Sequence, residues 1–182
     1  MIQLKRITDT EDSFYSYIEQ LIKSSFPPEE YREIEELQMY TAQKQLFHNN
    51  IIITPENNPV GMLSYWDFDE FCYVEHFAID SAQRNSGYGK RVLDHLKNIL
   101  QRPIVLEVEM PETKIAHRRI EFYKRQGFTL WEESYLQPPY REGESYLPML
   151  LMVQGELDCE KDYKRVKECI YKDVYNVLAL NK

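Results

Sequence analysis

The chain has 182 residues, of which 43% are apolar and 29% charged, and it carries 14 tyrosines. That length fits one domain with a short extension, and the balance is apolar enough to bury a core, which excludes a disordered chain. A net charge of −8 argues against a general nucleic-acid binder, which needs a basic face to displace counterions.

No stretch approaches the roughly 18 consecutive apolar residues of a membrane span. The opening MIQLKRITDTEDSF lacks the basic, apolar, small-residue order of a signal peptide. Cys72, Cys159 and Cys169 are too few and too scattered for a disulfide framework or a zinc site. His48, His95 and His117 share no spacing that points to a metal. The expectation is a cytoplasmic, reduced protein with no metal, no membrane contact and no nucleic-acid partner.

Residues 2–7 alternate apolar and polar side chains and predict a strand. Residues 10–25 place Phe14, Tyr17, Ile18, Leu21 and Ile22 at helical spacing, and Pro27-Pro28 ends that helix. Residues 29–45 predict a second, acidic helix. Residues 50–54 and 60–66 form two strands around the turn Pro55-Glu56-Asn57-Asn58-Pro59, and 71–79 a third. Gly87-Tyr88-Gly89 opens a helix with Val92, Leu93, Leu96, Ile99 and Leu100 as its apolar stripe, stopped at Pro103. A strand at 104–110 follows, then a helix at 112–126 closed by Gly127. Strands at 128–136 and 146–153 flank Gln137-Pro138-Pro139-Tyr140. A tail helix spans 160–180. The order predicts a mixed α/β sheet flanked by helices.

Charge is unevenly spread. Asp67 to Asp80 holds five acids and no Lys or Arg, Arg84 to Arg91 three bases and no acid, and Lys114 to Arg125 five bases and one acid. Charge runs are often only solvated faces, but here one basic run falls where a strand passes through a polar turn into a glycine-opened helix. Small residues let backbone N–H groups approach an anion, and the helix start adds unsatisfied donors and partial positive charge. Arg84, Lys90 and Arg91 add full charges. The segment reads as a pyrophosphate cradle. It is not a dinucleotide fingerprint, because Val92 stands where the third glycine belongs, nor a P-loop, because Arg91 follows Gly89-Lys90.

Arg84-Asn85-Ser86-Gly87-Tyr88-Gly89 resembles the Arg/Gln-x-x-Gly-x-Gly/Ala signature of the GNAT (Gcn5-related) N-acetyltransferases. Ile120-Glu121-Phe122-Tyr123-Lys124-Arg125-Gln126-Gly127-Phe128 resembles the end of that family's fourth helix, at the expected separation. The resemblance covers residues 1–155; 156–182 read as a helical extension packed on the same domain. Many members carry Asn near the start of the fourth helix, where this chain has Ala116-His117-Arg118.

The resemblance implies a partly splayed sheet and acyl transfer from acetyl-CoA to an amine, without a covalent enzyme intermediate. Pantetheine amides would pair with backbone near Phe77, Ala78 and Ile79, and pyrophosphate would rest on main-chain N–H groups from Arg84 through Asn85, Ser86, Gly87, Tyr88 and Gly89 to Lys90. The amine must lose a proton, the oxyanion needs a backbone N–H, and the leaving thiolate needs a proton. Glu75 is the candidate base, expected by strand alternation to share a face with Phe77 and Ile79, with His76 opposite and structural. Glu107 and Glu109, on one face of their strand, are rivals. Tyr123 is the candidate acid, as the family's tyrosine at that position often is. Cys72 reads as packing. The acids Glu29, Glu30, Glu33, Glu35 and Glu36, with Asp67, Asp69 and Glu70, predict attraction of a small cationic amine or a basic peptide end. Transfer of a longer acyl chain and a silent acyl-CoA sensor are the alternatives. The tail helix could cover a sheet edge or build a homodimer.

Overall fold

In the computed structural model, which describes residues 2–177, the apolar periodicities resolve into seven strands and five helices among the described residues. These are β1 (Gln3–Ile7), α1 (Tyr15–Ser25), α2 (Ile34–Gln43), β2 (Phe47–Ile53), β3 (Pro59–Asp67), β4 (Cys72–Ile79), α3 (Tyr88–Leu100), β5 (Ile104–Glu109), α4 (Lys114–Arg125), β6 (Thr129–Gln137), β7 (Leu147–Gln154) and α5 (Cys159–Asp173). The strands form one mixed sheet in the order β1-β2-β3-β4-β5-β7-β6. Every neighbouring pair is antiparallel except β4 and β5, which are parallel.

Two apolar layers cover the sheet. One gathers Ile18 and Ile22 of α1, Leu37 of α2 and Val166 and Ile170 of α5 over Phe47, Trp66 and Leu151. The other gathers Val92, Leu93 and Leu96 of α3 and Ile120 of α4 over Val74, Leu106 and Met152. Side-chain caps fix two helix starts: Thr113 accepts from the Ala116 N–H at 3.0 Å, and Asp158 from the Lys161 N–H at 3.1 Å. Gly127 closes α4 at φ +86°, a left-handed conformation that suits glycine. No helix among the described residues is long and apolar enough to cross a membrane.

Several boundaries differ from the sequence expectation. The segment before Tyr15 forms side-chain-bonded turns at Asp9 and Asp12 instead of helix. The acidic helix starts at Ile34, after a 3-10 turn at Pro28–Glu30, because Arg32 leaves the surface in extended chain to enter the core. Strand β2 begins at Phe47 rather than residue 50. Its polar Asn49 and Asn50 are buried but bonded, to Thr41 Oγ1 at 3.0 Å and to the Leu63 carbonyl at 3.1 Å. The tail helix ends at Asp173, followed by Val174 and Tyr175 packed into the core. Residues 178–180 of the expected helix lie outside the described residues.

The most consequential difference lies in β4. Its register against β3 shifts so that Ser64 faces His76 and Tyr65 faces Val74, leaving Glu75 as an extra, bulged residue. One extra residue reverses the alternation. Cys72, Val74, Phe77 and Ile79 therefore share the α3/α4 layer, while Tyr73 and Ala78 join the α1/α5 layer. Glu75 and His76 both project with the latter, bonding to Arg32 and Trp66 and to the Glu30 carbonyl respectively. The expected placement of Glu75 with Phe77 and Ile79, opposite His76, is overturned by this bulge.

Candidate active site

Pairing between β4 and β5 is confined to Cys72–Val74 against Ile104–Leu106. Beyond Val74 the strands part, while β4 stays paired with β3 as far as Ile79. The sheet thus opens into a wedge, with backbone of residues 75–79 along one side. A cavity of about 200 Å³ lies in it, lined by Glu30, Glu75, His76, Glu107, Gln137 and Tyr140 among others. A groove of about 500 Å³ adjoins it, lined by Asn85, Gly87, Tyr88, Gly89, Lys90 and Phe122. Phe77, Ile79, Arg84, Arg119 and Tyr123 line both, so the two spaces communicate through the wedge.

The groove is built by the glycine-opened loop. Asn85 and Gly87 adopt left-handed backbone, φ +65° and +76°, which turns the chain sharply into α3. Gly87 caps that helix without a side chain, so the first-turn N–H groups face outward unobstructed. A Cβ on Gly89 would stand 3.2 Å from the Phe122 ring, so glycine there keeps backbone and ring close. Arg91 ties the loop down by donating to the Ser86 carbonyl at 2.7 Å, and Arg84 Nε donates to the Ile79 carbonyl at 3.3 Å. Lys90 is shared with Asp94, at 2.7 Å. Of the residues expected to bind a cofactor, Phe77, Ile79, Arg84, Asn85, Gly87, Tyr88, Gly89 and Lys90 line the groove. Ala78 lines the inner cavity instead, and Ser86 is exposed on the loop.

The inner cavity is walled by an unusual polar cluster. Glu75 accepts from Arg32 and from the Tyr140 hydroxyl at 2.9 Å on one oxygen, and from Trp66 Nε1 at 2.8 Å on the other. The Arg32 side chain is 2% exposed and that of Glu75 0%. The guanidinium carbon also sits 4.3 Å from the Tyr40 ring centroid and 5.2 Å from that of Tyr140. Burial, the largest single influence, would raise the Glu75 pKa, but Arg32, His76 and the Trp66 hydrogen bond together outweigh it and hold the carboxyl below its usual range. A saturated, ion-paired carboxylate is a poor proton acceptor.

Glu107 is the opposite case. Tyr135 donates to its Oε1 and Tyr175 to its Oε2 at 2.9 Å. Burial pushes its pKa up to about 7, with the negative Glu75 adding to the rise against these hydrogen bonds. Glu109 is committed to Arg119 at 2.8 Å. Glu30, at the cavity wall, is raised to about 7 by burial and then by Glu109.

Tyr123 packs with Ile120 and Phe128 beneath the α3/α4 layer and borders both spaces. Burial lifts its pKa to about 12, so its hydroxyl carries its proton at neutral pH. His76 has both ring nitrogens engaged, with Ser64 Oγ at 3.3 Å and the Glu30 carbonyl at 2.8 Å, and burial lowers its pKa. The lowered pKa favours the neutral imidazole, and the ring lies on the Glu75 side of the sheet at the cavity wall, not on the opposite face expected from strand alternation. Cys72 is buried, and burial raises its pKa well above the usual thiol value. Among the described residues no group of three or more His, Cys, Asp or Glu could hold a metal ion.

Of the acids expected to attract a cation, Glu36 pairs with Arg32 at 3.5 Å and Glu33 with Arg141 at 2.5 Å. These two are spent on structure, whereas Glu30 faces the cavity. No local pattern marks Arg32, which lies within the acidic helix expected at residues 29–45, or Tyr175, which lies within the expected tail helix. The only local mark of Tyr140 is the Pro138-Pro139 pair that precedes it.

The fold and this wedge place the chain in a known class. Residues 10–128 match the model of the acetyltransferase (GNAT) family, and the chain belongs to that family. A protein from Bacteroides thetaiotaomicron described as a GNAT-family acetyltransferase superposes with a TM-score of 0.92 at 55% identity, over 96% of this chain and 99% of that one. More distantly, the fold is shared with spermidine N-acetyltransferase from Vibrio cholerae in complex with CoA and spermine, with a TM-score of 0.60, 16% identity and coverage of 84% and 94%. It is also shared with the ribosomal-protein-S18-alanine N-acetyltransferase from Escherichia coli, with a TM-score of 0.59, 17% identity and coverage of 87% and 97%. A search of curated proteins found no match.

Proposed function

We propose that this protein is an acetyl-CoA-dependent N-acetyltransferase that moves the acetyl group directly to a primary amine of a small molecule or peptide. The observation that carries the reading is the wedge between β4 and β5, which joins the glycine-walled groove to an acid-lined cavity. Acetyl-CoA supplies the thioester. The groove residues Arg84, Asn85, Gly87, Tyr88, Gly89 and Lys90, with the α3 N-terminus, would hold its pyrophosphate, and the backbone edge near Phe77 and Ile79 its pantetheine amides. No Cβ obstructs the loop at Gly87 or Gly89, which fits a backbone-bound anion.

The acceptor amine enters from the side of Glu30, Glu107 and Tyr140. Glu107 takes the proton the amine must lose, because its proton affinity is matched to neutral pH, and Glu75 serves as the counter-ion that keeps Arg32 in place. A backbone N–H of the central strand stabilises the oxyanion. Tyr123, on the opposite layer, gives its proton to the departing thiolate. Nucleophile activation and leaving-group protonation thus occur on opposite sides of the sheet. Glu30 and Glu107 favour a cationic amine over an anionic acceptor.

Release of coenzyme A from acetyl-CoA across a panel of polyamines, aminoglycosides, amino acids and peptides tests the reading. Release with at least one amine is expected. Saturable acetyl-CoA binding without turnover on any of them would make the protein a sensor instead, and faster turnover with a longer acyl donor would change the donor.

A further inference from the structure

The part of the chain matched by the family model ends at residue 128, yet a side chain 47 residues beyond it completes the polar cluster of the cavity. Helix α5 buries Val166 and Ile170, and Val174 follows them into the core. That anchorage delivers Tyr175, two residues past the helix end, to the sheet. Its hydroxyl donates to Glu107 Oε2 at 2.9 Å, lies 3.3 Å from the Tyr73 hydroxyl, and lies 3.5 Å from that of Tyr140. Asn176 secures the same turn from the other side, donating to the Tyr40 hydroxyl at 2.8 Å.

A buried phenol oxygen costs free energy unless bonded, and a core filler needs no hydroxyl. Here the hydroxyls are aimed. Tyr135 takes one oxygen of Glu107 and Tyr175 the other, so the carboxylate is held at both ends, with its remaining lone-pair positions left for a proton. We propose that Tyr175 is a positioning residue of the reaction, and that the C-terminal helix is an active-site element whose task is to bring this hydroxyl to Glu107. The inference rests on the reading of Glu107 as the base.

The groups facing Glu107 are Tyr73 and Glu75 from β4, Tyr135 from β6, Tyr140 from the loop after it, Tyr171 from α5 and Tyr175. Glu75 bears the negative charge among them, and Arg32 compensates it. Removing the Tyr175 hydroxyl therefore takes away a donor to the charged form and leaves every formal charge in place. Protonation of Glu107 becomes easier, and the acidic limb of the rate profile moves to higher pH.

The test uses the full chain with Tyr175→Phe, which keeps the ring packed against Tyr140 at 5.0 Å between centroids. Two quantities are followed: kcat/KM against pH for the best amine of the panel, and the carboxyl titration of Glu107 by 13C NMR, assigned with Glu107→Gln. Both midpoints are expected to rise by about one pH unit, from the loss of one hydrogen bond to a charged group, with KM for acetyl-CoA unchanged. Should the Phe variant fold poorly, 3-fluorotyrosine at 175, a stronger donor, is expected to lower both midpoints. Midpoints that stay put in both variants, while Glu107→Gln abolishes the acidic limb, overturn the role of Tyr175 and leave Glu107 as base. An acidic limb that survives Glu107→Gln overturns the base assignment, and the inference with it.

Discussion

Substituting Glu75 separates a strut from a base. Glu75→Gln keeps the shape and leaves Arg32, almost wholly buried like Glu75, with only the more distant Glu36 at 3.5 Å as counter-ion. Removing one partner of a buried, hydrogen-bonded pair costs about 3–5 kcal/mol. For a domain of this size each kcal/mol moves Tm by about 2–4 °C, so a fall of about 6–20 °C is expected. Trp66 and Tyr140 donate to different oxygens of Glu75, and the single Gln carbonyl oxygen can accept from only one of them, which places the result toward the upper end. Because the folded pKa of Glu75 is depressed, the pair contributes fully above the unfolded carboxylate value of about 4.3. Its contribution is lost as pH falls through the lower folded value, so the gap between wild type and variant narrows in acid. Calorimetry and urea titration at pH 7 and in acid read this out. Replacing both partners, Arg32→Met with Glu75→Leu, removes the uncompensated charge and is expected to recover most of the loss. At permissive temperature the folded Glu75→Gln enzyme keeps the acidic limb of its rate profile. Wild-type melting within about 2 °C combined with loss of that limb would refute the argument and make Glu75 the base.

Gly87→Glu forces a side chain onto left-handed backbone and sets a negative charge at the anion-facing loop; calorimetric affinity for acetyl-CoA is expected to fall at least about tenfold, or by more than about 1.4 kcal/mol. Tyr123→Phe is expected to lower kcat by about 10²-fold while leaving acetyl-CoA affinity unchanged, and a single-turnover burst would show whether thiolate departure is the slowed step. Glu30→Gln is expected to raise KM for a cationic amine, and to flatten its increase with ionic strength, without altering affinity for acetyl-CoA. Removing the neutral pair as a whole, Glu33→Gln with Arg141→Gln, changes no net charge and is expected to leave that KM unchanged.

The glycine-opened loop and the end of α4 were legible in the sequence because they are local. A left-handed turn needs Gly87, close approach to an aromatic ring needs Gly89, and a helix end needs Gly127. The apolar periods of residues 92–100 and 104–108 likewise announced α3 and β5, since burial on one face imposes the period whatever the rest of the chain does. Polar burial erased the same signal ahead of residue 50, so the strand expected at 50–54 leaves out the first residues of β2, where Asn49 is buried against Thr41. Tertiary structure alone decided the chemistry of the cavity. The bulge at Glu75 depends on how β3 and β4 align, and one extra residue turned the expected base onto the other face. Arg32, Glu75, Glu107, Tyr140 and Tyr175 are scattered over 144 positions of the chain, and no periodicity links them. Whether a carboxylate among them is a strut or a base depends on which gains a cation and which gains only hydroxyls. That is a matter of distance across the fold, where Arg32 meets Glu75 and Tyr175 meets Glu107.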